Sequence, residues 1–212
     1  MPCTPEVRSK PKKKIVHASE QLREDVQLAR WHFRKGQDSM DAARLLFFDE
    51  SGINLSMARR YARAPGGARA VGFVPKNWGE SVTIVAGIGL RGVVAPLVLN
   101  GSLDGLGFDA YIEQFVLPNI KKGDILVFDN LAAHKSAKAK DLVESKGASL
   151  LFLPPYSPDL NPIERAWSKL KTALRASGAR TPDALVVAVA AALNDITIEN
   201  IRAWLRHCGY GR

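Results

Sequence analysis

Two apolar runs in this chain each stop at an acid. Leu45-Leu46-Phe47-Phe48 ends at Asp49, and Ile125-Leu126-Val127-Phe128 ends at Asp129. Continuous apolar runs of this kind mark strands buried on both faces. If the two strands lie side by side and parallel, their C-terminal ends are about 4.8 Å apart. Both carboxylates then point into the crevice where open α/β sheets bind ligands, beside the topological switch point. Two carboxylates held that close repel by roughly a few kcal/mol at an effective dielectric near 20. Either one takes up a proton or a divalent cation sits between them.

A third acid, Glu164, stands in Asn161-Pro162-Ile163-Glu164. Asn161 is a good N-cap, Pro162 suits the first helical position and Glu164 the third, so the stretch can be a capping box and nothing more. The helix it opens carries an apolar stripe of Ile163, Trp167, Leu170 and Leu174. About 100° round that helix run Glu164, Ser168, Lys171 and Arg175. One acid followed by a hydroxyl and two cations suits a metal ligand at the head of a phosphate track; a solvated face has the same pattern. His134, in the loop after Asp129, can contact phosphate or a strand about to be cut, or simply be solvated. Lys76 and Trp78, in a long loop, can pair with a phosphate and stack on a base, or the Trp can plug the core.

The elements that must position these groups follow from pattern. Residues 1 to about 17 are polar, proline-containing and basic, with Lys12-Lys13-Lys14, and read as an arm. A helix follows, with Ser19 as its cap, Leu22, Val26, Ala29 and Phe33 as its apolar face, and Gly36 as its end. After the first strand, 51–79 reads as a loop or irregular hairpin. Ser81 to Ile88 and Val93 to Leu99 read as strands around Gly89-Leu90-Arg91-Gly92. Helical spacing covers Phe108 to Leu117 and roughly Lys135 to Lys146, with a strand from Ser149 to Leu153. After Pro154-Pro155-Tyr156-Ser157-Pro158 a helix spans Pro162 to about Arg175, and two more are opened by Thr181-Pro182 and by Thr197. The order predicts an α/β layer fold with a mixed sheet.

Of the 212 residues, 46% are hydrophobic, enough for a real core. Thirty Lys and Arg against 21 Asp and Glu give a net charge of +9. That balance suits a polyanionic partner, because phosphate neutralisation drives non-specific nucleic-acid binding. Cys3 and Cys208 sit at opposite ends, which excludes a CxxC zinc site and fits a reducing compartment. The N-terminus lacks an apolar h-region, and the longest apolar stretch, Ala184 to Leu193, is too short to span a bilayer. The expectation is a cytoplasmic, nucleoid-associated protein with no membrane partner.

Together these residues resemble the bacterial insertion-sequence branch of the Tc/mariner superfamily of DDE transposases. The matching pieces are Phe47-Phe48-Asp49-Glu50-Ser51-Gly52, Val127-Phe128-Asp129-Asn130 with His134, and Leu153-Pro154-Pro155-Tyr156-Ser157-Pro158-Asp159-Leu160-Asn161-Pro162-Ile163-Glu164. The 34 residues between Asp129 and Glu164 are a spacing typical of that superfamily. Tyr61-Ala62-Arg63-Ala64-Pro65-Gly66 and His207-Cys208-Gly209-Tyr210 also look like this branch. The similarity runs from about residue 15 to the end.

The resemblance implies a ribonuclease H-like fold, a five-stranded mixed sheet flanked by helices, with the first and fourth strands adjacent and parallel at its centre. It implies that Asp49, Asp129 and Glu164 hold two Mg²⁺ ions, with Mn²⁺ able to substitute. These would activate a water against the phosphodiester and stabilise the leaving 3′ oxygen, after which the freed 3′-OH attacks target DNA. The implied partners are double-stranded DNA, both element ends and target, and a second copy in a homodimeric synaptic complex. Asn130, Lys135 and Tyr156 join Lys76, Trp78, His134, Ser168, Lys171 and Arg175 as expected DNA contacts. Residues 1–40 are assigned to the basic arm and a linker helix, and 41–212 to the DDE catalytic domain with its C-terminal helices. Only about 40 residues precede the first strand, too few for a pair of helix-turn-helix domains. The chain therefore reads as the second frame of a split gene, with an upstream helix-turn-helix polypeptide, or as a truncated copy. Two other readings stay open: another ribonuclease H-like nuclease or resolvase, and a remnant that only binds DNA.

Overall fold

The computed structural model describes residues 18–59, 61–76 and 81–211; the basic arm and Trp78 lie outside the described residues. Strand β1 (Leu45–Ile53) forms the centre of a five-stranded sheet of order β3-β2-β1-β4-β5. β2 (Val82–Gly89) and β3 (Gly92–Asn100) add to one side as an antiparallel hairpin, closed by Leu90-Arg91. β4 (Ile125–Phe128) and β5 (Ser149–Phe152) add to the other side, parallel to β1. The sheet is mixed, as the element order predicts, and the first and fourth strands are central neighbours, as the family resemblance implies.

Both apolar runs are covered on both faces, which explains why neither alternates with polar residues. Leu45, Phe47 and Val127 face one layer, packed with α4 (Ile163–Ser177), α5 (Pro182–Asn194) and α6 (Ile198–His207). Leu46, Phe48, Leu126 and Phe128 face the other, packed with α2 (Gly105–Tyr111), the π-helical turn Ile112–Val116 and α3 (Ala137–Ser145). The stripe Ile163, Trp167, Leu170 and Leu174 is buried, and α4 ends at Gly178, whose φ of 65° is left-handed. Tyr210 closes the chain: its ring packs edge-on to Phe47 at 4.8 Å and its hydroxyl donates to the Leu160 carbonyl at 2.8 Å.

Three boundaries differ from expectation. β1 does not stop at Asp49 but runs to Ile53, because Asp49 to Ile53 pair with Ala86 to Val82 beyond the point where β4 ends. The first long helix, α1, spans Glu24–Gln37; Ser19 lies in a separate 3₁₀ turn without a capping bond, and Gly36 is inside the helix. At the head of α4 the N-cap residue is Pro162, and no side chain caps the helix.

The expected start of the last helix is observed as a reciprocal cap. Thr197 Oγ1 accepts from the Asn200 amide at 3.3 Å, and Asn200 Oδ1 accepts from the Thr197 amide at 3.4 Å. Thr197→Ala is expected to lower unfolding free energy by about 1 kcal/mol. Denaturant titration checks this, and an unmoved midpoint would show the cap to be idle.

Candidate active site

Parallel pairing of β1 with β4 matches Leu45 to Ile125, Leu46 to Leu126 and Phe47 to Val127. Continued two residues, the same register sets Asp49 opposite Asp129. Glu164 reaches them from the first turn of α4, which packs on β1. All three acids line one pocket of about 430 Å³, together with Asn130, Tyr156 and Asn161. Burial pushes the Asp49 carboxyl up to about 7, against the pull of a hydrogen bond from the Glu50 amide, and the negative charges of Glu164 and Asp129 push the same way. The Glu164 carboxyl is raised too, by partial burial and by Asp129, with the Lys171 ammonium drawing it back. Trp167 Nε1 donates to Asp49 Oδ2 at 3.2 Å, so a residue of the α4 apolar stripe also orients the first acid.

The capping-box reading of Asn161 and Glu164 fails on this geometry. Asn161 is buried, and its Oδ1 has no hydrogen-bond partner among the described residues. A buried acceptor without a partner costs about 1–3 kcal/mol. The residue lines the acidic pocket, and its side chain does not close the helix.

His134 is the largest departure from expectation. It is only 3% exposed, between the rings of Phe108 and Phe128. Its Nδ1 lies 2.7 Å from Asp129 Oδ1 and its Nε2 lies 3.2 Å from Glu50 Oε1. Burial alone would lower the imidazole's pKa, but the hydrogen bonds and charges of Asp129 and Glu50 lift it to about 9. With both ring nitrogens engaged behind the pocket wall, His134 supports Asp129 and offers DNA no free face. A second bond, from the Leu131 amide at 3.2 Å, also holds Asp129 Oδ1.

The segment Pro154–Asn161 forms the pocket's far wall. Tyr156 adopts φ 53°, a left-handed conformation that costs a non-glycine residue about 1–3 kcal/mol. Its carbonyl accepts from Gln21 Nε2 at 2.6 Å and from Arg30 Nη1 at 3.3 Å. Arg30 on α1 also donates to Ser157 Oγ at 2.7 Å and binds Asp159 through two nitrogens at 2.9 and 2.8 Å. Arg34 adds a third bond to Asp159, whose carboxyl is held below its usual range by the two guanidiniums despite partial burial. α1 is thus a clamp on the strained loop that leads into Glu164.

The remaining expected DNA contacts divide. Asn130 and Tyr156 line the acidic pocket, and Ser168 lines an adjoining groove. Lys171 is near enough to act on Glu164 electrostatically, but Arg175 lines neither space. Lys76 and Lys135 are exposed and line neither. Trp78 is not among the described residues. Sequence reading missed Glu50, Arg30 and the bond from Trp167. Glu50 adjoins Asp49 in the Asp-Glu pair and gave the only local signal.

Among the described residues no group of three or more His, Cys, Asp or Glu is placed to hold an ion by itself. Mg²⁺ seldom uses such a cage; one or two carboxylates hold it while waters and substrate phosphates complete its shell. The pocket fits that mode. Burial raises Asp49 and Glu164, the negative charges of the neighbouring acids add to it, and a divalent cation would neutralise those charges.

Residues 44–186 match the family described as DDE superfamily endonuclease. The transposable element Tc1 transposase of Caenorhabditis elegans is 28% identical over 188 residues, covering 82% of this chain and 67% of that protein. The Mos1 transposase paired-end complex with left transposon end superposes with a TM-score of 0.71 at 16% identity, covering 94% of this chain and 63% of that one. The Mos1 mariner catalytic domain alone gives a TM-score of 0.63 at 12% identity, covering 93% and 91%. Other similar Mos1 structures are paired-end complexes with Mn and with Mg. This chain therefore spans about two thirds of the longer relatives and nearly all of the isolated Mos1 catalytic domain. From residue 44 onward, acids, register and fold agree: the chain belongs to the DDE superfamily endonucleases, as a catalytic domain of the Tc/mariner transposase type.

Proposed function

We propose that this domain cuts a DNA strand at the pocket of Asp49, Asp129 and Glu164 and joins the freed 3′ end to target DNA. The observation that carries this reading is that three acids from three separate elements line one pocket. These three side chains would hold two divalent ions, Mg²⁺ with Mn²⁺ as substitute, which when bound lower the pKa of the attacking water and stabilise the leaving 3′ oxygen. The chain's own part is orientation. Trp167 and the Glu50 amide fix Asp49, His134 and the Leu131 amide fix Asp129, and the first turn of α4 presents Glu164. The net charge of +9 draws the phosphate backbone in.

Mos1 complexes with transposon ends, Mn and Mg support the choice of substrate and ion. Residues 41–212 act as the catalytic unit and 1–40 as arm and linker. Element ends are recognised by an upstream helix-turn-helix polypeptide, and two copies act together on paired ends. The test is a supercoiled plasmid incubated with the protein and Mg²⁺ or Mn²⁺, followed by a duplex carrying a pre-cut 3′-OH end from the DNA flanking the coding sequence. Chelator-sensitive nicking and end joining are expected. No nicking with either ion removes the catalytic reading, and nicking without joining reduces the domain to a nuclease.

A further inference from the structure

We infer that the groove between α4 and α6 is a second nucleic-acid site, which takes the phosphate backbone of one strand as it leaves the acidic pocket. The inference rests on the DNA-processing reading above and names a path that the catalytic acids do not specify. The groove holds about 740 Å³ and shares Pro158, Asn161 and Glu164 with the acidic pocket, so the two spaces are continuous around the head of α4.

Its cations are held in place without being neutralised. Arg165 is hydrogen-bonded to His207 Nε2. A guanidinium only donates, so the imidazole nitrogen is the acceptor. Lys169 Nζ donates to the Asp195 carbonyl and, at 2.6 Å, to Asn200 Oδ1. Among the described residues neither cation forms an ion pair, while Asp159 on the rim is already taken by Arg30 and Arg34. Two fixed positive charges one helical turn apart, about 6 Å along α4, suit successive phosphates.

Two further features select a single strand. Trp204, half-buried, lines the groove opposite these cations. Cations that follow a backbone beside an aromatic face that stacks a base are the arrangement of single-strand binders. Asn161, 4% exposed, has an unpartnered Oδ1 and lines both spaces. Asn161 thus marks the junction that a strand crossing from pocket to groove passes. This route follows Arg165 and Lys169, one residue round the helix from the Glu164, Ser168, Lys171 and Arg175 stripe expected from sequence.

The test is fluorescence anisotropy of a labelled 12-nucleotide single strand with the full chain in chelator, across a salt series. The double substitution Arg165→Gln with Lys169→Gln is expected to weaken binding and to reduce the slope of log affinity against log salt by about 0.7 for each charge removed. Lys169→Arg keeps the charge and the slope, and Lys146→Gln, in the turn between α3 and β5 and lining neither space, leaves both unchanged. A 5-iodouracil strand irradiated with the wild-type protein should cross-link to Trp204, which reports on the groove even if the double variant does not fold. An unaltered slope in a folded double variant, a change seen only with duplex, or cross-links confined to other elements would each overturn the assignment. The readout needs neither metal nor chemistry. A protein that binds through the groove and never nicks DNA defeats the catalytic reading and leaves this one standing.

Discussion

Asp129→Ala is expected to abolish metal-dependent nicking, by about 10³-fold or more, a barrier increase of roughly 4 kcal/mol. Continued register sets Asp129 opposite Asp49, and it shares its pocket with Glu164, so its removal leaves two of the three acids that line the pocket. The loss belongs to chemistry, and it exceeds the stability cost of taking one of the two bonds from the buried His134. The Asp129 side chain is 34% exposed, makes no contribution to either apolar layer, and follows the last residue of β4. DNA binding that weakens with salt should persist, because it depends on the chain's excess of Lys and Arg and not on the acids. Nicking and anisotropy measured on one preparation separate the two. Equal nicking by wild type and variant would remove Asp129 from the mechanism, and joint loss of nicking and DNA binding would point to misfolding.

How much of this site could be read from residues alone is decided by contact distance along the chain. The two strand-end acids were legible because each sits where an uninterrupted apolar run stops, and the topology then sets them side by side. The α4 stripe was legible because helical periodicity is local. The extension of β1 to Ile53 was not, since Asp49-Glu50-Ser51-Gly52 carries no strand pattern and is held straight by the ladder to β2. The Arg30 clamp joins residues 129 positions apart at Asp159, so nothing near either end announces it. Asn161 has the right residue type for a cap. Its backbone carbonyl already receives the Glu164 amide at 3.3 Å, and its side-chain oxygen is buried without a partner among the described residues. Local propensity named a cap where the fold placed an acceptor.

His134 is where that gap between sequence and structure has the largest functional consequence. Removing it should raise the metal concentration needed for half-maximal nicking and lower activity about 10–100-fold, the usual cost of losing a partner that orients a metal-binding carboxylate. One imidazole bridges Asp129 and Glu50, and packing against Phe108 and Phe128 fixes its plane. Without it Asp129 keeps the Leu131 amide but gains freedom to rotate, and Glu50 is left without that bond at the edge of the core. His134→Gln retains a donor near Asp129 and should recover part of the activity lost in His134→Ala. A residue that only filled space would show a lower melting temperature in chelator and an unchanged metal requirement. A residue that aims Asp129 would shift the metal requirement, with the glutamine variant falling between alanine and wild type. A metal dependence identical in all three proteins would return His134 to the core as packing.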